Sequence, residues 1–567
     1  MGRRGAGQRA VVEAVAVGAV VATVLVGCAG IPTSGPVQEG DVPVAELSAP
    51  LSLPVDPVVD GTPEEIVRGF LAAGAAGLAD DFRVARSFLT AAARWDPRAQ
   101  VLISTSQGSQ VREQADGTVV VAVPVAAVVD DVGVYTEAAA RAPQSLEFEL
   151  VQDSNEQWRI TSAPSGVVMS RGDFAQLYRD VPLYFASPDL THLVPDLRHF
   201  PAGGNTPALA VSALLRGPSP WLRDAVTSAV PEGSQLGVSA VTVTGSVATV
   251  DLTAPANTST TDRELLQVQL EATLANVPAI TEVDVTVGGS PWFIDPRGID
   301  EMVIDPAPAA GPYVLVGDEL ALVDQGRVTP LADVAPLGDL AANSPALSPD
   351  GETRVVRSGR SRLMLLPPEA GDPVELLTGS MLIAPSVDRF GWVWSGPEAS
   401  DGTLLAVDET RVQTTIEAEW LEGSVVRSLR VSRDGTRVAV VSEDENGAVS
   451  VDVAGVLRDE FDRPLSLGER WQIGAPLTTA TEVSWVDEVT VAVLGTTGEA
   501  GSPAMHLVPL GGPTAPQSIV ENTTGIATGR GLRALYLVDD AGQLWLRQSA
   551  ATWGRVVPGV RDAVFPG

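Results

Sequence analysis

The sequence predicts a multidomain protein in which two α+β blocks precede an all-β propeller. Three observations carry this. Helical periodicity followed by alternating strands occurs twice between residues 61 and 295, helical periodicity almost vanishes after residue 311, and from there a turn-and-strand unit recurs. At 567 residues the chain has room for three or four domains.

The first element is a targeting segment, residues 1–27. Arg3, Arg4 and Arg9 precede an apolar run over residues 15–26, which ends in Leu25-Val26-Gly27-Cys28-Ala29-Gly30. A basic start, an apolar stretch too short for a comfortable membrane span and small residues at the cleavage point mark a bacterial lipoprotein signal. Cys28 is the only cysteine in the chain. Cleavage between Gly27 and Cys28 would leave Cys28 as an S-diacylglycerol, N-palmitoyl cysteine, and two or more acyl chains suffice for stable anchoring. Glu13 weakens insertion, so the effective apolar core begins after it. No later segment has the roughly 18 uninterrupted apolar residues of a second crossing. The rest of the chain is therefore expected on the extracytoplasmic face of the cell membrane, held by lipid alone and folded without disulfides.

Charge narrows the partners. The 37 basic residues are all arginine and face 71 acidic ones, a formal charge of −34. Such a surface repels phosphate backbones and anionic headgroups alike, which argues against nucleic-acid binding and leaves membrane contact to the lipid.

Residues 28–60 carry the lipidated cysteine and a Pro-, Ser-, Gly- and Val-rich stretch without helical periodicity, a flexible tether. The N-terminal block, residues 61–176, opens on Thr62-Pro63-Glu64-Glu65, with a capping threonine, proline at the first helical position and acids in the first turn. Ile66, Val67, Phe70 and Leu71 then recur at helical spacing, and a second helix is expected through Phe82, Ala85, Phe88 and Leu89 to Trp95. Strands are expected over residues 101–104, 118–129 with Pro124 as an irregularity, 145–152 and 157–162. Two helices and a curled antiparallel sheet make an NTF2-like α+β cone, a fold that often encloses a pocket. Its helices here supply alanine and phenylalanine rather than an Asp/His pair, which favours a structural or docking role.

The second block, residues 180–295, starts with a strand at Val181-Pro182-Leu183-Tyr184-Phe185. A helix from Thr206-Pro207 through Leu209, Val211, Leu214 and Leu215 is stopped by Gly217-Pro218. A hairpin turns at Gly245-Ser246, a long helix covers residues 261–274, and a last strand lies at residues 283–287. Leu183-Tyr184-Phe185, Leu214-Leu215-Arg216-Gly217-Pro218, Ala229-Val230-Pro231-Glu232-Gly233, Thr249-Val250-Asp251-Leu252 and Gln269-Leu270-Glu271-Ala272-Thr273-Leu274 together resemble the GerMN domain of spore germination and sporulation proteins. The resemblance implies scaffold roles for these residues. Asp251, the one polar side chain in an apolar strand, suits a turn or capping bond better than catalysis.

From residue 311 to 567 the repeat is a Ser or Thr, a short turn and an apolar strand. Ser348-Pro349-Asp350-Gly351 and Ser432-Arg433-Asp434-Gly435 are its clearest copies, with weaker ones at Ser386, Ser484 and Thr528, roughly 40 to 50 residues apart. That period is the signature of propeller blades, five or six of them, with residues 560–565 available to pair back with the first. Boxes of this kind also mark sialidases, but the adjacent Asp-Gly suits turn chemistry, the aspartate bonding its own backbone and the glycine supplying positive φ. Trp392, Trp394, Trp485 and Trp545 fall in the blades, either as packing between them or as exposed rings at the channel mouth.

Enzymatic constellations are sparse, and no catalytic, metal-binding or cofactor-binding residues are assigned. The three histidines, His192, His199 and His506, lack a cysteine or tight acidic grouping to complete a metal site. His192 and His199, seven apart, could share a helical face. No nucleophile elbow stands out, and the chain has no lysine for a phosphate loop. The carboxylate pairs Asp80-Asp81, Asp130-Asp131 and Asp539-Asp540 read as solvated turns.

The lipobox, the tether beginning Ala29-Gly30-Ile31-Pro32-Thr33-Ser34-Gly35-Pro36, the α+β unit, the GerMN-like block and a propeller ending Phe565-Pro566-Gly567 together resemble the LpqB lipoproteins of actinobacteria. The resemblance implies a non-enzymatic, membrane-anchored accessory factor of a two-component system. Its implied partner is the extracytoplasmic domain of an MtrB-like sensor histidine kinase, in cell-wall homeostasis and division. The alternative is a cell-wall polymer binder or glycan hydrolase using the propeller mouth or the N-terminal pocket.

Overall fold

The N-terminal helix forms where its cap dictates. Thr62 Oγ1 accepts from Glu65 N at 3.3 Å while Glu65 Oε2 accepts from Thr62 N at 2.8 Å, a reciprocal box that satisfies two otherwise unpaired donors at the start of helix Pro63–Ala75. The computed structural model describes residues 54–105, 109–139, 143–231, 233–253, 259–292, 301–498 and 501–567. Gly27, Cys28, the signal and most of the tether lie outside them.

One face of the first helix buries Ile66, Val67, Phe70 and Ala73. Phe70 meets Trp95 edge-on at 4.9 Å and Phe148 at 6.0 Å, so aromatic rings fill the centre of the cone. The second helix is shorter than expected, only Arg83–Ser87. Phe82 enters it with φ of 58°, and beyond Ser87 a strand edge takes the backbone: Ile160 N donates to Phe88 O and Thr90 N to Ile160 O, both at 2.9 Å. Trp95 therefore sits in a loop, its Nε1 donating to Gly166 O at 3.0 Å. Two four-stranded sheets complete the block. One runs Tyr135–Glu137, Val125–Asp130, Gln100–Ser104, Val167–Ser170, the other Gln110–Glu113, Val119–Val123, Gln144–Gln152, Trp158–Ser162. Pro124 splits the long strand as expected. The pairing of Gln100–Ser104 with Val167–Ser170 is parallel, unlike the other strand pairs of these two sheets.

In the second block, Tyr178–Ala186 pairs antiparallel with Leu193–Pro201. Helix Thr206–Arg216 stops at Gly217, whose φ of 88° suits glycine. The hairpin of Gln235–Thr244 and Val247–Thr253 turns at Gly245-Ser246, and helix Thr260–Leu274 crosses over to make Glu282–Val287 parallel to Val247–Thr253. Two fully buried polar side chains on that helix sew it to its neighbours. Thr273 Oγ1 accepts from Tyr184 N at 3.1 Å, and Gln269 accepts from Ala229 N while donating to Tyr184 O, both at 2.9 Å. This satisfies backbone groups that burial would otherwise orphan.

The C-terminal region is a six-bladed propeller among the described residues. Its first blade takes its innermost strand, Val560–Val564, from the far end of the chain and pairs it antiparallel with Tyr313–Val316. The other innermost strands are Ala342–Leu347, Ser386–Val387, Val425–Val431, Leu477–Trp485 and Thr523–Thr528. One insertion breaks the pattern. Strand Pro464–Leu467 pairs antiparallel with Val449–Arg458 and parallel with Gln413–Glu417, fusing the third and fourth blades into one nine-stranded sheet.

The repeat turns work as local chemistry requires. Asp434 Oδ1 accepts from Thr436 N and Ser432 Oγ, each at 2.8 Å, while Gly435 takes φ of 76°. Asp350 and Gly351 repeat this, with Glu352 N donating to Asp350 at 3.0 Å. Trp392, Trp394 and Trp485 are buried and pack the blades, and Trp545 is half-buried. The three blocks belong to one compact unit, Val44–Gly567.

Candidate functional site

Two regions concentrate polar groups inside the molecule: the joint where the blocks meet and the propeller channel. His199 lies at the first. It stands on strand Leu193–Pro201, and His192 makes a bridge to Val303 just before that strand, so the two do not share a helical face. The His199 ring packs against Tyr135 at 5.4 Å and Phe174 at 5.3 Å, both from the N-terminal block. Its Nε2 lies 2.6 Å from Gly511 O in the propeller. A carbonyl only accepts, so Nε2 carries the proton. Burial pulls the pKa of this ring below its ordinary value.

The neighbouring residues extend the joint. Arg198 and Asp196 form a buried bidentate pair, Nε to Oδ1 at 3.1 Å and NH2 to Oδ2 at 2.7 Å, completed by Ser219 and by Val132 O of the N-terminal block. From the propeller side, Thr514 donates through N and Oγ1 to Glu137 at 3.0 and 2.6 Å. Trp221 and Leu222 of the short helix Pro220–Arg223 press on strand Val449–Arg458 at Gly455. Farther along, Asp189 binds Arg389 at 2.8 Å and Asp305 binds Arg530 at 2.6 Å. Burial would raise the Asp189 carboxyl, but hydrogen bonds from Ser187, Arg389 and Thr191 outweigh it and bring it down to about 2. Tyr184 OH donates to Glu488 at 2.5 Å, and burial lifts the Glu488 carboxyl to about 7.

The channel forms the second region. Leu347, Val387, Ser484, Thr528 and Phe565 line a narrow cleft among the innermost strands. At the same cleft, Arg430 lies 3.9 Å from Glu482, whose Oε2 accepts from Ile526 N at 3.0 Å, and Asp562 accepts from Ser344 N at 3.3 Å. Burial lifts Glu482 to about 7 and raises Asp562. Arg357 is held by Asn343 and the Leu382 carbonyl. Arg430 and Glu482 pair in the channel wall, and the charges of Arg357 and Arg430 are felt at Asp562.

The remaining sequence candidates are structural in this fold. Asp251 accepts from Thr286 Oγ1 and Gly289 N, both at 2.8 Å, a turn bond as expected. Asp130 accepts from Val132 N and Val134 N, Asp539 from Gln543 N and Trp545 Nε1, and Asp81 pairs with Arg98. Asp388 receives four bonds, from Phe390 N, Trp392 N, Trp394 Nε1 and Arg458. Among the described residues, no group of His, Cys, Asp or Glu has the arrangement to hold a metal ion. Sequence reasoning did not single out the joint, since its partners lie hundreds of residues apart.

Known proteins share this arrangement. The family model described as "Lipoprotein LpqB, N-terminal domain" matches residues 56–175, "Sporulation and spore germination" matches 182–292, and "Lipoprotein LpqB beta-propeller domain" matches 318–566. A protein named Lipoprotein LpqB from Cutibacterium acnes is 29% identical over 98% of each chain. Another of that name from Mycobacterium tuberculosis is 30% identical, covering 74% of this chain and 76% of its own. Among solved structures, the first GerMN domain of the sporulation protein GerM from Bacillus subtilis aligns with 22% of this chain and 94% of its own at 17% identity, TM-score 0.18. TolB from Acinetobacter baumannii aligns with 56% of this chain and 75% of its own at 13% identity, TM-score 0.35.

Proposed function

The chain belongs to the LpqB lipoprotein family, and from that premise we propose that it is a non-enzymatic accessory factor, anchored through Cys28 on the extracytoplasmic face of the membrane. In this reading it binds the extracytoplasmic domain of an MtrB-like sensor histidine kinase and modulates two-component signalling in cell-wall homeostasis and division. The observation that supports it most is the joint at His199, where one ring touches the N-terminal block and the propeller at once. A molecule whose blocks are fixed to one another presents its surfaces at set distances from each other, as a docking platform requires. Docking shifts the kinase only if the platform binds one of its conformations better than the other.

The channel favours the second reading, a wall-polymer ligand, because Glu482, Asp562, Arg357 and Arg430 meet there. Against it, Trp392, Trp394 and Trp485 are buried as packing and offer no stacking platform for sugars. Among the described residues no helix is long and apolar enough to cross a membrane.

Titration calorimetry of residues 29–567 against the kinase's extracytoplasmic domain tests the proposal. Saturable binding is the expected result. Folded protein that gives no heat at high micromolar concentration would overturn it and move the search to wall polymers.

A further inference from the structure

The inserted hairpin between the third and fourth blades carries a feature that packing does not explain. Phe461 is 72% exposed at its tip. Leu465 follows on the same hairpin, and Val412 precedes the strand Gln413–Glu417 that pairs with it; both are also exposed. A lone exposed aliphatic side chain is ordinary, but a large aromatic ring held out on a rigid loop is not.

The tip is rigid. Asp459 Oδ1 accepts from Phe461 N at 2.9 Å and from Arg463 N at 3.0 Å. Arg458 ties the loop to the propeller interior, donating to Asp462 O at 2.8 Å and to the buried Asp388 at 2.7 Å. An aromatic anchor presented this way loses little entropy on binding.

The tip is also negatively charged. Its cations are already engaged: Arg458 with Asp388, Arg463 with Asp459 at 3.7 Å, and Arg389 with Asp189. Glu460 is exposed and has no cationic partner among the described residues, while burial and the nearby Asp189 raise the Asp462 carboxyl. A cation arriving from outside would relieve that field. Anionic lipid headgroups and a second copy of this acidic chain would both be repelled by it.

We propose that residues 459–463 form a docking finger, with Phe461 entering an apolar pocket rimmed by arginine or lysine on an extracytoplasmic partner protein. Taking that partner to be the sensor kinase rests on the function proposed above. The Asp189–Arg389 pair places the finger beside the GerMN-like block, so the docking surface spans the joint between the two blocks.

The test places a photocrosslinking amino acid, p-benzoylphenylalanine, at position 461 or, as a control, at the exposed Leu532 in the full lipidated chain in its own cells. In parallel, the purified kinase domain is titrated with wild-type protein and with Phe461→Asp. The expected result is a kinase adduct from position 461 alone, with affinity falling about tenfold or more in Phe461→Asp and binding weakening as salt rises. Kinase binding that is unchanged by Phe461→Asp overturns the finger and leaves the kinase proposal standing. An adduct with a different protein overturns the kinase assignment, and supports the finger only if that protein, once purified, loses affinity for Phe461→Asp to the same degree. No adduct at position 461 overturns the finger outright.

Discussion

His199 Nε2 and Gly511 O, 312 residues apart in sequence, are joined by a 2.6 Å hydrogen bond that closes the propeller against the two blocks before it. Because burial holds the folded ring's pKa below its ordinary value near 6.5, the unfolded chain takes up a proton at a higher pH than the folded one. Stability therefore rises with pH through this window, and the contribution is lost as the solution is acidified from about pH 7 towards 5. His192 and His506 are shifted in the same direction, so the wild type feels all three. His199→Gln keeps a donor without a titrating ring, and its melting temperature should fall less than the wild type's over this range, as differential scanning calorimetry would show. Equal slopes would refute the assignment.

Asp388 accepts four hydrogen bonds and pairs with Arg458, with the two side chains 0% and 7% exposed. Asp388→Ala leaves a buried guanidinium without its counter-charge, and the expected loss in urea unfolding is about 3–5 kcal/mol. Asp388→Asn, which retains one acceptor, should lose less.

Gly455 lies beneath the short GerMN-side helix, where an added Cβ would stand 2.6 Å from Ala225 Cβ and 3.0 Å from Trp221 O. Gly455→Val should push the second block off the propeller while each keeps its own core. Faster proteolysis that separates the second block from the propeller, with an unchanged far-ultraviolet spectrum, is the expected outcome, and a wild-type digestion pattern would contradict it.

Cys28→Ala removes the only thiol that could carry lipid. Membrane fractionation should find this variant released or carrying an uncleaved signal. Normal processing with unchanged membrane association would disprove lipidation.

Removing residues 560–567 leaves strand Tyr313–Val316 with an open edge and the first blade without its innermost strand. The truncated protein is expected to aggregate and bind hydrophobic dyes, because an unpaired edge is a template for association.

Much of this architecture was legible because its causes are local. The Thr62–Glu65 box, the Gly217 stop, the Gly245-Ser246 turn and the Asp434-Gly435 boxes each act within a few residues, so pattern alone located them. The second helix was read too long because Phe82, Phe88 and Leu89 keep helical spacing while the edge at Ile160, some 70 residues away, takes their backbone. The two histidines were misplaced because a spacing of seven suits a helix, whereas His199 lies on a strand defined by pairing with Tyr178–Ala186 and His192 bridges Val303 just before it. The hairpin tip and the joint were invisible for the same reason: exposure at Phe461 and contact at His199 are properties of the assembled fold.

The closing strand also sets a schedule for manufacture. Synthesis runs from the N-terminus, so Tyr313–Val316 is made well before the partner strand Val560–Val564 that must complete its blade. Throughout that interval the ring stays unlatched, and only delivery of the final stretch seals it. Closure thereby works as a completeness check: a chain cut short of residue 560 cannot latch the ring.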